Sequence, residues 1–151
     1  DDGDITLESF NFDTATIQNC TDNNLVFKIN DKELLLLSIP ESSFLNEETP
    51  DGSPRIINVG TTNQIIYRLY SGNVSSATIC STLPPASPVV EKEWNASGGT
   101  IEIITDALYD VDGITINGYT HNIKFKNVNF SNPDNSFSFT EYIFGNYETD
   151  L

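Results

Sequence analysis

A single histidine, two cysteines and a short run of aspartates are the side chains of this sequence that could carry chemistry. His121 is the only imidazole among the 151 residues, so a Ser-His-Asp or Cys-His catalytic arrangement would have to use it. No GxSxG motif or comparable nucleophile motif accompanies it. The sequence therefore predicts that His121 is a surface histidine on a strand and that the protein is not an enzyme.

Three aspartates form the tightest acidic cluster and are the candidate metal ligands. Asp106, Asp110 and Asp112 lie within the segment TDALYDVDG, between two predicted strands. Because hard oxygen ligands are abundant in this chain and soft ligands are scarce, calcium is the metal that would fit them best. The segment lacks the EF-hand series of ligands and its terminal Glu. The favoured alternative is an acidic loop in which Gly113 supplies a turn conformation, and no other cofactor is predicted.

Cys20 and Cys80 are the only cysteines. Neither has the CxxC or His-rich setting of a metal site, and two cysteines in a β-rich domain outside the cytosol usually pair. Closing a loop of about 60 residues would stabilise the fold by up to about 4 kcal/mol. We therefore expect a disulfide, with two separately buried thiols as the alternative.

Trp94 is the candidate for an exposed binding surface. Most large aromatic side chains of a β-sandwich pack in the core or at an edge. The segment WNASGG places Trp94 among polar residues and glycines, which permits exposure and makes Trp94 the hypothesis for a binding surface. Packing in the core or at an edge is the favoured alternative. The other aromatic residues that could extend a sugar platform or a partner patch are Tyr67, Tyr70, Tyr109, Tyr119, Tyr142 and Tyr147.

The acidic composition excludes whole classes of partner. Asp and Glu number 22 against 7 Lys and Arg, which gives a formal net charge of -15. Such a charge is repelled by phosphate backbones and by anionic lipid surfaces, so no nucleic-acid partner is predicted. Apolar residues make up 38% and charged residues 19%, the composition of a folded domain. The apolar run from Leu34 to Leu37 is far shorter than the roughly 20 residues of a membrane span.

The elements that must position these residues are predicted to be strands. Runs rich in Ile, Val, Phe, Tyr and Thr recur between clusters of Asn, Asp, Gly and Pro. The opening ITLESFNF reads as a strand, and LVFKIN and ELLLLSI are predicted to pair antiparallel across a turn at Asn30 to Lys32. The stretch from Pro40 to Pro54 is predicted to run over the surface. STLPPASP, after Cys80, is predicted to be a crossover between sheets or a loop at the domain edge.

The C-terminal third carries the clearest strand pattern. Asn117-Gly118 is the strongest short hairpin signal in the chain, so strands from Gly113 to Asn117 and from Tyr119 to Asn127 are predicted to pair around it. The alternation of apolar residues places four side chains in the core, namely Ile114, Ile116, Ile123 and Phe125.

Together these runs give eight or nine short strands. They predict an all-β fold, an antiparallel β-sandwich that is immunoglobulin-like in general architecture. No internal boundary interrupts the pattern. Residues 5–151 are therefore predicted to form one sandwich domain, preceded by an acidic N-terminal tether of residues 1–4.

The sequence also carries a signal for processing. It begins DDGD and contains no Met, whereas translation starts with Met. We therefore expect that an upstream segment was removed, and a secretory signal is the simplest candidate. A chain trimmed for expression is the alternative.

Several short features follow one another near the N-terminus. They are Asp1 to Asp4, Phe10-Asn11-Phe12, Cys20 and the run Leu25 to Lys28. Their order resembles that of short cell-surface lipoproteins from flavobacteria and related Bacteroidota, in which a lipidated Cys precedes an acidic export tract, an FxF strand, a Cys and an LVFxx hairpin. The resemblance implies a lipid anchor, secretion across the inner membrane and display on the outer membrane. It also implies that Thr14, within Asp13-Thr14-Ala15, matches an O-glycosylation acceptor.

The sequence thus predicts a non-catalytic, surface-exposed lipoprotein domain that mediates protein-protein interaction. Its partner would be an envelope protein, and the domain would serve as an accessory subunit of an outer-membrane complex. Contact with the membrane would be through the lipid anchor only. The alternative is a glycan-binding or adhesin domain, which would need exposed aromatic residues.

Overall fold

The computed structural model of the protein describes residues 10–21, 25–83 and 85–151. The predicted tether of residues 1–4 and the first half of the predicted opening strand lie outside the described residues. The second half of that strand, Phe10 to Phe12, has irregular backbone, although both Phe rings are buried in the core.

Strands dominate the described chain, with one helix of five residues. A short 3-10 turn spans Glu41–Phe44, and the helix, α1, spans Ser76–Cys80. The strands are β1 (Gln18–Asn19), β2 (Leu25–Asn30), β3 (Glu33–Ser38), β4 (Arg55–Asn58), β5 (Gln64–Tyr70), β6 (Val90–Ser97), β7 (Thr100–Tyr109), β8 (Ile116–Ser131) and β9 (Ser136–Asp150).

Within the described residues these strands form one antiparallel sheet in the order β1-β2-β3-β5-β6-β8-β7-β4, and β9 pairs with β8. The structure confirms the all-β, antiparallel prediction. The finer description, an immunoglobulin-like sandwich, stays a prediction, because the strands are hydrogen-bonded into one continuous open sheet. The chain between β5 and β6 includes α1, and these two strands are neighbours in the same sheet. The segment after Cys80 is therefore a loop at the domain edge and not a crossover between sheets.

A corner joins two halves of the sheet, one made of β1, β2, β3, β5 and β6 and the other made of β4, β7, β8 and β9. β6 and β7 lie end to end along one edge of β8, since Ser97 is opposite Asn129 and Thr100 is opposite Lys126. Between them Gly98 and Gly99 have positive φ values of 68° and 77°, which L side chains rarely adopt. A Cβ on Gly99 would also collide with the backbone carbonyls of β8. The WNASGG segment is therefore built for this corner.

One core lies between the two halves. It combines inward side chains of β2, β3, β5 and β6 with those of β7, β8 and β9, and the rings of Phe10 and Phe12 pack among them. Each fully buried side chain of this size contributes roughly 1.5–3 kcal/mol. The fully buried members include Leu35, Leu37, Tyr67, Trp94, Ile101, Ile103, Ile123, Phe125, Phe130 and Phe144.

A second, smaller cluster explains the run of four leucines. Leu35 and Leu37 face the main core, whereas Leu34 and Leu36 face a cluster on the opposite side of the sheet. The helix α1 covers this side through partly buried Ile79 and Cys80. A strand that is buried on both faces is continuously apolar rather than alternating, as ELLLLS is.

The two predicted hairpins have different outcomes. β2 and β3 pair antiparallel around a turn in which Asp31 has φ 54°, which confirms the first prediction. The second prediction, a turn at Asn117-Gly118, is wrong. Both residues lie inside β8, and the true turn spans residues 110–115. Gly118 is needed there for close approach, since a Cβ would lie 2.9 Å from the Thr149 carbonyl oxygen.

The same shift decides the predicted core residues of the hairpin. Ile123 and Phe125 are fully buried, as predicted. Ile116 is half-buried. Ile114 was expected in the core and is 80% exposed, because it lies in the turn and not on a strand.

Candidate functional site

The turn that joins β7 to β8 exposes a group of apolar side chains. Val111 is fully exposed, Ile114 is 80% exposed and Tyr109 is 51% exposed. We call residues 109–115 the hairpin tip. Single exposed apolar residues are common on protein surfaces, but several together mark contact sites. The hairpin tip is therefore the candidate interaction surface.

The backbone of the hairpin tip is fixed by its own hydrogen bonds. Asp112 Oδ1 accepts from the backbone N–H groups of Ile114 (2.8 Å) and Thr115 (2.9 Å), and Oδ2 accepts from the Thr115 hydroxyl (2.6 Å). Asp110 N–H donates to the Thr115 carbonyl, and Gly113 N–H donates to the Asp110 carbonyl. These bonds to the ionised carboxyl lower the pKa of Asp112 to about 2. The turn is therefore preformed.

The structure does not assemble the predicted calcium ligands. Asp106 lies on β7, while Asp110 and Asp112 lie in the hairpin tip. Within the described residues no group of three or more His, Cys, Asp or Glu side chains could hold a metal ion. The oxygens of Asp112 already accept the bonds of the turn, and Asp110 Oδ1 accepts from Asn117 Nδ2 at 3.4 Å. The segment corresponds to the acidic-loop alternative, with Gly113 at φ 70°.

Trp94 is only 1% exposed, so its predicted surface role is wrong. Its indole N–H donates to Asn135 Oδ1 (2.8 Å), and its ring centroid lies 5.2 Å from that of Tyr67. The polar residues that suggested exposure lie on β6, and the two glycines after them form the corner between β6 and β7. A buried tryptophan with its N–H satisfied is a core residue.

His121 is also misplaced by the sequence reading, since it is fully buried and not on the surface. It lies at the centre of a hydrogen-bond chain that we call the His121 network. Arg55 Nη1 donates to Thr105 Oγ1 (2.6 Å), which contacts His121 Nδ1 (2.7 Å). His121 Nε2 contacts Thr149 Oγ1 (2.9 Å), and Thr149 donates to Asn46 Oδ1 (2.6 Å).

The direction of these bonds fixes the tautomer of the imidazole. Thr149 spends its single hydroxyl proton on Asn46, so it can only accept from His121 Nε2–H. Nδ1 is then the acceptor for the Thr105 hydroxyl. Burial and the nearby Arg55 charge lower the pKa of His121 to about 4. The histidine is neutral at physiological pH and holds the loop that carries Asn46 against the sheet.

Lys28 is a buried charged residue that the sequence analysis missed. It is 6% exposed, and its ammonium group donates to the Phe144 carbonyl (2.7 Å). Phe144 is the extra residue of a β-bulge, since Ile123 pairs with Gly145 and Lys124 pairs with Ile143. Burial lowers the pKa of Lys28, and the negative charge of Asp13 opposes this. The available signal was its strand phase, which it shares with core-facing Val26.

The structure describes the residues of two further predictions, the Cys20–Cys80 disulfide and the glycosylation acceptor Thr14. Cys20 and Cys80 form a disulfide, which confirms that prediction and ties α1 to the chain before β2. Thr14 is exposed in a turn in which Ala15 N–H donates to the Phe12 carbonyl. Its modification stays a prediction.

Comparison with protein families, with curated proteins and with solved structures finds no match for this chain. Within the described residues no helix is long and apolar enough to span a membrane.

Proposed function

We propose that the protein is a non-catalytic, cell-surface domain that docks on a protein partner through the hairpin tip. The observation that carries the proposal is the pair Val111 and Ile114, exposed on a turn that the Asp112 carboxyl holds in shape. Apolar side chains that are presented on a rigid backbone bind without a large ordering cost. The tip therefore has the properties of a small binding anchor.

The charge around the tip indicates the chemistry of the partner. Asp110 and Asp112 carry negative charge beside the exposed Val111 and Ile114, in a chain whose net charge is -15. Complementary potentials guide encounter and suppress wrong partners. The partner surface that fits this tip is an apolar groove with a basic rim.

The compartment is part of the same proposal. The N-terminal resemblance supports a lipid-anchored protein of the Bacteroidota type, displayed on the outer membrane, and the disulfide fits an oxidising environment. Because the tip is small, its own affinity for a partner would be modest. Anchoring both partners in one membrane would compensate by raising their effective concentration. The domain would then act as an accessory subunit of an envelope complex.

Two observations support a role without catalysis. The neutral imidazole of His121 is buried, and both of its ring nitrogens are engaged by threonine hydroxyls. The two cysteines are joined in the disulfide. The histidine and the two cysteines therefore have structural partners.

The test is recovery of a stoichiometric companion from native membranes in mild detergent. We expect the double variant Val111→Ser, Ile114→Ser to lose it, since truncating a central apolar anchor costs at least about 1–2 kcal/mol of binding. The matched control is Leu83→Ser with Val89→Ser, which removes two exposed apolar side chains from the edge loop. Equal recovery with the tip variant and the control would reject the tip as the contact.

A further inference from the structure

A pocket of about 360 Å³ opens at the end of the sheet where β9 ends and β2 begins. We call it the end pocket. Its volume is at the lower limit of small-molecule sites, which span roughly 300–1,000 Å³. It is therefore large enough for one ring-sized ligand.

Two aromatic rings form part of its wall. Phe44 from the 3-10 turn and Tyr147 from β9 both line the pocket, and their ring centroids are 5.0 Å apart at an interplanar angle of 70°. Both residues are half-buried. Both rings contribute apolar surface to the pocket wall, beside the polar groups described next.

The polar groups of the wall are uncharged or acidic. The uncharged ones are Asn19, Thr21, Asn46, Thr149 and the hydroxyl of Tyr147, and the acidic ones are Glu41 and Asp150. None of the described residues that line the pocket is basic. An anionic ligand would meet no positive charge here, so phosphorylated, sulfated and carboxylated ligands are disfavoured.

The His121 network fixes two of these groups before any ligand arrives. Thr149 accepts from His121 and donates to Asn46 Oδ1, and Asn46 Nδ2 donates to the Asp150 carbonyl (2.7 Å). Asn46 keeps one amide hydrogen and one acceptor lone pair, and Thr149 keeps one lone pair. The pocket thus presents both a donor and acceptors in fixed positions.

We propose that the end pocket binds a neutral pyranose ring. A sugar hydroxyl both donates and accepts, so it can use the amides of Asn19 and Asn46 and also the carboxylate of Glu41. The ring faces of a pyranose pack on aromatic side chains. An ammonium group could use the carboxylates but offers no acceptor to the amide hydrogens. Preorganised polar groups beside an apolar wall favour the sugar.

The experiment follows the amide NMR spectrum of the isotope-labelled full chain during titration with the methyl pyranosides of glucose, galactose and mannose. We expect at least one sugar to give saturable shifts at Asn46, Thr149 and Asp150 in the millimolar range. Asn19→Ala and Glu41→Ala each remove one hydrogen-bonding group and should weaken binding about fivefold. Both residues are exposed, so these variants should fold.

Glu91→Ala is the matched control, because it removes an exposed carboxylate from β6 and should leave sugar binding unchanged. Absence of saturable shifts with all three sugars would overturn the proposal. It would also be overturned if butylammonium shifted the same amides at lower concentration than any sugar. Free sugars bind without a protein partner, so this result is separate from the test of the hairpin tip.

Discussion

In both the hairpin tip and the His121 network, a titratable side chain is hydrogen-bonded to threonine, but the two regions have different roles. In the tip, the Asp112 carboxyl accepts backbone and threonine bonds and thereby keeps Val111 and Ile114 outside the fold. In the network, two threonines hold a neutral histidine inside the fold. One set of bonds shapes a surface for contact, and the other attaches an irregular loop to the sheet.

The difference lies in what surrounds the polar group. A carboxylate at the surface stays ionised, and its hydrogen bonds lower the pKa of Asp112 further. A buried imidazole loses hydration, so the charged form is disfavoured and the pKa of His121 falls. Loss of the buried group should therefore damage the whole fold, whereas loss of the exposed one should damage only the turn.

The largest effect is expected from His121→Ala. The substitution leaves a cavity and removes the partner of Thr105 and Thr149 in the interior, which should lower the free energy of unfolding by about 3 kcal/mol. Urea denaturation measures the loss. Asn122→Ala is the control, because the neighbouring Asn122 on β8 is only half-buried and bonds to exposed Asn146. A change in His121→Ala no larger than in this control would contradict a stabilising network.

The second expected effect is a loss of stability in mild acid. The pKa of His121 is about 4 in the folded protein against 6.5 when unperturbed, so the unfolded chain takes up the proton first. Stability should be full above about pH 6.5 and fall by about 2 kcal/mol as the pH approaches 4. This is less than the full shift would give, because Thr149 on one side of the ring is half-buried.

The measurement for this prediction is denaturant unfolding over that pH range, compared with His121→Gln. The carboxylates of the chain titrate in both proteins, so the difference between the two curves isolates the imidazole. Parallel curves would show that His121 does not couple to folding.

Local pattern was sufficient for some parts of this fold. The β2–β3 hairpin followed from two apolar runs across a short polar turn, and the Cys20–Cys80 disulfide followed from cysteine count and setting. The prediction of a turn at Asn117-Gly118 was wrong for two physical reasons. Gly118 allows close approach of β9, and the Asp112 side chain stabilises a different turn nearby.

The candidate sites depended on partners that are distant in sequence. Burial of Trp94 requires Asn135, which is 41 positions away, and the ring of His121 requires Thr149, which is 28 positions away. No local pattern indicates such pairs. The exposure of Val111 could have been predicted from the sequence, because an apolar residue inside an acidic turn has no neighbouring strand to pack on.

A smaller, local effect is expected from Asp112→Ala. Removing the carboxyl leaves the N–H groups of Ile114 and Thr115 without their acceptor, so both amides should lose protection in hydrogen exchange. Global unfolding should change little, because the turn is exposed and lies outside the core. Asp134→Ala provides a comparison in another exposed turn. Unchanged protection at Ile114 and Thr115 would show that the backbone alone shapes the tip.

The smallest effect on stability is expected where the functional effect should be greatest. Val111→Ser with Ile114→Ser removes side chains that bury almost no surface in the free protein, so the free energy of unfolding should stay within about 0.5 kcal/mol of the original. Ile123→Ala, on the buried face of β8, should cost about 2–5 kcal/mol by contrast. Chemical denaturation compares both with the parent protein. An unchanged stability would show that Val111 and Ile114 do not stabilise the fold, which is the result that the docking proposal requires. A marked loss of stability in the tip variant would instead assign Val111 and Ile114 to the fold and remove the main support for the docking proposal.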